Sequence, residues 1–266
     1  MNVLRPFLKA MLTNRSLWFW GVAFMVFWLV LGAFIFSSGL PSTAIPAFTA
    51  SWFAVTSLFS LSTLAIGISA SIAYATAALA YGFRFTLLKP RDYLFSLLAG
   101  TGVLGLTLTV IMLGSTVGVF GARFHLTLLP ADPVALVGAA VLAGAFMMAL
   151  SVTLMLLVVN FLGLRNTSFV SFVPLLLSYV FGLGEVNVAV PSWLLYGSPF
   201  SDISALLYQG FTGGAPPVEL ASASSGTLGW PWLLASLLAW TGLLLLGAAY
   251  LLRHIRVRSI EEGRQM

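Results

Sequence analysis

Residues 83–95, FRFTLLKPRDYLF, carry four charged side chains: Arg84, Lys89, Arg91 and Asp92. On one side of them, no Asp, Glu, Lys or Arg occurs from Ser16 to Gly82. On the other, none occurs from Tyr93 to Ala122. Three cations and one anion at the centre of a membrane helix would cost on the order of 10 kcal/mol, so the strip must lie outside the hydrocarbon core. The apolar runs on either side then read as two crossings joined by a short charged connection. Pro90 suits the first turn of the second one, and Asp92 suits the positive end of its dipole.

The rest of the chain fits this reading. Of 266 residues, 60% are hydrophobic and only 7% charged, where a soluble domain is nearer a quarter charged. Mean hydropathy is +1.04. This composition describes an integral membrane protein. The absence of cysteine excludes a disulfide framework, a thiolate metal site and a thiol redox motif. The net charge of +5 reports loop orientation here and gives no reason to expect nucleic acid.

A helix needs about 20 apolar residues to cross a ~30 Å core. Six runs qualify or come near it: 17–36, 52–82, 94–121, 134–159, 169–183 and 230–252. The second would reach about 46 Å as a helix and should project from the bilayer. The fifth is short and contains Pro174. If all six cross, Arg5, Lys9, Arg15, Arg84, Lys89, Arg91, Arg165, Arg253, Arg256, Arg258 and Arg264 share one side and only Arg123 lies opposite. The positive-inside rule makes that side cytoplasmic, with both termini on it, in a multi-pass cell-membrane protein. Without the fifth crossing, the four C-terminal arginines would move outside. A cleaved signal peptide is the competing reading of the N-terminus. The first run, at 20 residues, exceeds the usual 7–15 of a signal core and favours a retained span.

The expected fold is therefore an all-α polytopic bundle forming one domain over 1–266. Residues 1–16 read as a basic amphipathic helix in the interface, because Val3, Leu4, Phe7, Leu8, Met11 and Leu12 recur at helical spacing. Residues 83–93 form a cytoplasmic strip, 184–229 an outer loop and 253–266 a cytoplasmic tail. Within the outer loop, apolar segments broken by Pro191 and Pro199 either dip into the outer leaflet as re-entrant pieces or pack on the helix ends.

Function is narrowed by what is missing. His125 and His254 lie a membrane apart and cannot form a metal or acid–base pair. Asp92, Asp132, Glu185, Asp202 and Glu219 all fall between the expected spans, leaving no ionisable group at depth for a proton relay. Lys9 and Lys89 each follow a leucine, so there is no P-loop, and ATP would have to be hydrolysed on another polypeptide. In the second run, Thr56, Ser60, Thr63, Gly67 and Ser71 share one helical face, which serves either close helix packing or a translocation path. Gly114 and Gly118 form a G-x-x-x-G pair suited to packing.

This arrangement resembles the permease subunits of type-2 ABC transporters. The resemblance covers essentially the whole chain and is carried by two stretches. Thr86-Leu87-Leu88-Lys89-Pro90-Arg91-Asp92-Tyr93-Leu94 is similar to the family's charged strip. Pro191-Ser192-Trp193-Leu194 with Ser198-Pro199-Phe200 is similar to its outer segment. The resemblance implies a non-enzymatic membrane subunit with no cofactor of its own. It also implies a second permease copy or paralogue, and separate ATPase subunits that hold ATP and Mg. The cargo would be a lipid, glycan, drug or peptide. It makes Arg84, Lys89, Pro90, Arg91 and Asp92 the coupling contact with the ATPase; the simpler role for the same charges is a topology signal. A gradient-driven carrier or channel and a non-transporting scaffold are the other classes the sequence leaves open.

Overall fold

A computed structural model describes residues 3–162, 168–187, 193, 197–219, 222–227 and 229–255. Apart from short turns and one small hairpin, these residues are helical. Five of the helices are long and apolar enough to cross a membrane, and the protein is an all-α polytopic membrane protein. In chain order the elements are α1 (Leu4–Leu12), α2 (Arg15–Phe36), α3 (Ile45–Phe85), α4 (Pro90–Phe124) and α5 (Pro133–Leu157). They are followed by α6 (Ser168–Asn187), α7 (Pro199–Thr212) and α8 (Trp230–Arg253). The strands β1 (Pro217–Glu219) and β2 (Ser222–Thr227) pair antiparallel before α8, where the sequence had read an irregular loop.

The long helices alternate in direction. Gly21 of α2 faces Thr63 of α3, and Gly32 faces Trp52, so these two run antiparallel. Ser178 of α6 meets Ser62 of α3, and Gly182 meets Leu58, which makes α6 antiparallel to α3 as well. Along α5 and the π turn that continues it (Val158–Leu162), Thr153 Oγ1 donates to Leu244 O of α8 at 2.8 Å and Asn160 Nδ2 donates to Leu251 O at 3.2 Å, so α5 and α8 run together. The bend between α3 and α4 thus marks one end of the molecule, called the strip end below.

Helix α3 is the mast around which the others stand. Its 41 residues extend about 60 Å. It begins at Ile45 rather than at the expected residue 52. Pro46 reads as a breaker in sequence, but it occupies the first turn, where its missing N–H has no helical partner to lose. α4 likewise starts on Pro90, and α5 on Pro133 with Asp132 capping through Ala135 N–H at 2.9 Å.

Helix α1 forms where the amphipathic pattern predicts it, with Arg5 and Lys9 exposed. Its apolar stripe meets protein: Phe7 and Leu4 cover Gly100 of α4, and Met11 sits beside Gly67 of α3. Trp18 Nε1 donates to Leu12 O at 2.7 Å and fixes the bend into α2.

The closest helix crossing uses glycine, but not the expected pair. A Cβ added to Gly114 or Gly118 would meet nothing within 4 Å, so the G-x-x-x-G of α4 faces outward. The tight crossing is between α4 and α5, where a Cβ on Gly144 would lie 2.5 Å from Thr101 O. Gly144→Leu should therefore overpack this crossing by about 1–3 kcal/mol or more and lower the midpoint of thermal unfolding. Gly114→Leu should leave it unchanged. Equal losses in the two variants would show that the outward glycines also form an internal contact.

Candidate functional site

Helices α2, α3 and α6 leave an elongated cavity of about 600 Å³ between them. From α2 it takes Trp20, Phe24 and Trp28. From α3 it takes Trp52, Phe59 and, as its polar wall, Thr56, Thr63 and Gly67. Phe172, Leu175 and Tyr179 of α6 close the third side. No charged side chain lines it. Trp20, Phe172 and Tyr179 are each about half exposed and flank its open side.

The sequence grouped Thr56, Ser60, Thr63, Gly67 and Ser71 on one face, and the structure divides them. Thr56, Thr63 and Gly67 line the cavity. Ser60 is fully buried away from it, and its hydroxyl has no hydrogen-bond partner among the described residues. Ser71 is exposed and donates back to Gly67 O at 2.8 Å. The cause is helical pitch. At about 100° per residue, Thr63 and Gly67 fall about 20° to either side of Thr56, whereas Ser60 and Ser71 fall about 40° and 60° round to one side and leave that face.

Two features of the wall could not be read from the sequence. Helix α2 contains π-helical turns at Phe19–Ala23 and Gly32–Phe36. They place Gly21 and Gly32 against α3, and Trp20 in the first turn and Trp28 between the two line the cavity. Helix α6 carries Pro174 in its interior, beside the lining residues Phe172 and Leu175. Four residues on, Ser178 Oγ donates to Pro174 O at 2.9 Å and accepts the hydroxyl proton of Ser62 of α3. The α6 wall is thus anchored by a hydroxyl pair at depth.

For the segment before α8 the sequence leaves two readings, a dip into the outer leaflet or packing on the helix ends. Pro191 lies outside the described residues, and Trp193 is exposed. Pro199 opens α7, with Ser198 as its cap. This helix is buried in the bundle rather than resting on it. Gly197 O accepts Trp240 Nε1 at 3.0 Å, ten residues into α8 and so about 15 Å from its start. Phe200 packs on Phe146 and Phe181 with ring centroids 5.4 and 6.1 Å away. The other end returns to the surface, where Ala131 N–H and Asp132 N–H donate to Phe211 O and Gly210 O. Asp202, placed by the sequence among loop carboxylates, sits one turn into α7 at 0% exposure. The chain does hold an ionisable group buried within the protein. The sequence concealed it because fourteen residues are too few to register as a crossing.

The charged strip is a tight bend. Thr86 Oγ1 donates to Gly82 O at 2.6 Å and accepts Leu88 N–H at 3.2 Å, turning the chain from α3 into α4. Arg84, Lys89, Arg91 and Asp92 are all exposed. The Arg91–Asp92 pair, at 3.6 Å, is solvated and contributes little to stability. Tyr93 is buried beneath the bend, edge-on to Phe83 at 6.0 Å. Around the cations, Tyr81, Phe85, Leu87 and Phe95 are exposed, Leu87 at 95%.

His125 is exposed and caps α4 in a left-handed conformation, with φ 56°. His254, also exposed, stacks on Tyr250 at 4.5 Å. Among the described residues, no group of three or more His, Asp or Glu is placed to hold a metal ion. No protein-family model matches the chain, and no curated protein matches it. The cavity, the buried α7 and the exposed bend must therefore be interpreted from their own chemistry.

The α3–α6 anchor can be tested directly. Two serine hydroxyls in hydrogen-bond contact bring their Cα atoms to within about 7 Å, close to the upper end of the span a disulfide accepts. In this cysteine-free chain, Ser62→Cys with Ser178→Cys should oxidise to a disulfide that protects both thiols from maleimide. Full double labelling after oxidation would separate the two helices.

Proposed function

We propose that the chain is the membrane-spanning permease subunit of an ATP-driven ABC exporter, with ATP hydrolysed by a separate subunit. The observation that carries this reading is the strip-end bend. Exposed arginines set among exposed aromatic and aliphatic side chains are the composition of a protein-docking surface. A topology signal would need the charges alone. In this reading α6 is the sixth crossing, its direction being opposite to that of α3 and α8. The strip end is cytoplasmic, both termini lie there, and α7 is a re-entrant helix entering from the outer side. The charge-free cavity takes an apolar or amphipathic cargo. A second permease copy completes the translocation unit.

Co-expression provides the test. The isolated chain should hydrolyse no ATP, and a co-purifying ATPase should give vanadate-sensitive turnover. Arg91→Lys with Asp92→Asn should insert normally but lose coupling, because lysine lacks the planar fork that makes paired hydrogen bonds. If that double variant binds the ATPase and transports like the parent, the strip is an anchor only.

Asp202 favours a second reading, a gradient-driven carrier. Ionisable groups inside membrane bundles are costly and commonly mark ion or proton pathways. The helix N-terminus also stabilises the carboxylate, which is a structural reason to keep it. The two readings separate at Asp202→Asn, which preserves shape and removes the charge. Within the permease, ATP-driven export should continue within a few-fold of the parent. Loss of transport driven by an ion gradient, without any ATPase, would establish the carrier.

A further inference from the structure

The shape and polarity of the cavity define its guest more closely than "apolar". It follows α2 from Asn14 to Trp28 and α3 from Ala70 back to Trp52, a length of about 20 Å or more. A volume of about 600 Å³ drawn out over that length is a narrow upright slot rather than a bowl. It also exceeds the depth of one leaflet, half of a ~30 Å core. Such a space suits one extended hydrocarbon chain with a head group at its end.

The polar end is the one near α1. Asn14 Oδ1 is engaged, accepting Ser16 N–H at 3.0 Å as the cap of α2. The Asn14 amide nitrogen lies on the slot side, 3.9 Å from where a Gly67 Cβ would stand. Ser16 adds a hydroxyl, and the exposed Arg15 stands between them in the chain. This end presents hydrogen-bond donors, with no carboxylate lining it. It is complementary to an acceptor-rich head.

We infer that the slot binds a single acyl chain ending in an oxygen-acceptor head, a carboxylate or a phosphate ester, with that head at Asn14 and the chain running toward Trp28 and Trp52. This rests on the slot being the cargo site proposed above. The same chemistry is offered by an exchangeable fatty acid and by one chain of a resident phospholipid.

Trp20, Trp28 and Trp52 supply the signal. Dibromostearate added to the full chain in amphipol should quench tryptophan fluorescence saturably, and unbrominated fatty acids should displace it. Measured against aqueous concentration, affinity should rise about fourfold per CH₂ from decanoate upward. It should level off once the chain outgrows the slot. Val55→Phe, which fills the Trp52 end of the slot without adding an indole, should shorten the chain length at which the gain stops. Asn14→Asp retains the helix cap but exchanges the donor for an anion, and should weaken binding at least tenfold at every chain length. Thermal unfolding of each variant confirms folding, and if Val55→Phe does not fold, Asn14→Asp carries the test. One equivalent of co-purified phospholipid that fatty acids fail to displace identifies the chain as a resident lipid. Free exchange identifies a mobile amphiphile. Non-saturable quenching, no dependence on chain length, or folded variants that bind like the parent would overturn the inference. None of these measurements needs an ATPase. Failure here leaves the coupling tests intact, and acyl binding by a chain that never engages an ATPase would refute export while keeping the site.

Discussion

A hydroxyl on a buried helix can donate to a carbonyl one turn back, and the whole molecule depends on that bond. Helix α3 stands at the centre of the bundle, yet it is dense in serine and threonine. In a dry interior each unpaired hydroxyl would cost about 1–3 kcal/mol. Thr49, Ser51 and Thr56 instead donate to Ile45, Ala47 and Trp52 at 2.7–3.0 Å. Satisfied in this way, small polar side chains pack as if apolar and let neighbours come close. Ser151 of α5 extends the scheme by donating to both Met147 O and Ala65 O, tying two helices with one hydroxyl. Ser57, Ser60 and Thr109 are the exceptions, fully buried with no partner among the described residues.

That arrangement explains how a fourteen-residue helix can lie inside the bundle. α7 is too short to cross, so its ends must be satisfied by other protein groups. Ser198 caps one end, and Gly213, at φ 71°, closes the other through its N–H to Gln209 O at 2.7 Å. The backbone around it is covered by Phe146 and Phe181 below and by the 131–132 turn above. A close approach at Gly210, whose Cβ would stand 2.9 Å from the Leu136 backbone, lets α5 supply that cover.

How much of this was legible follows from what each signal measures. Runs of apolar residues measure length in hydrocarbon, and they located α2, α4, α5, α6 and α8 to within a few residues. They missed about the first two turns of α3 because Pro46 looks like a stop unless the helix start is already known. They missed α7 because a segment buried by protein has no length requirement to meet, so Asp202 passed as a loop residue. Helical spacing identified Thr56, Thr63 and Gly67 as one wall, yet could not exclude Ser60 and Ser71, since periodicity gives a face only to within its own width. The cavity itself depends on π turns in α2, which have no composition signature. The strip was the most legible feature, because charge in an apolar chain has few places to go.

The strip and the slot belong to the same rod. From Trp52 to Arg84, α3 continues without proline or a change of helix type, so its slot wall and its exposed end cannot move independently. The α6 wall joins that rod through Ser62 and Ser178, and Pro174 breaks its hydrogen-bond ladder just below the anchor. α2 packs on α3 through buried Met25, Leu29 and Ala33 as well as through the glycines of its π turns. A push on the bend would therefore be carried through α3 to the anchored part of α6. The stretch of α6 below Pro174 would be left to yield. In the proposed permease this asymmetry puts the moving wall of the slot on the side where Phe172 already stands half exposed.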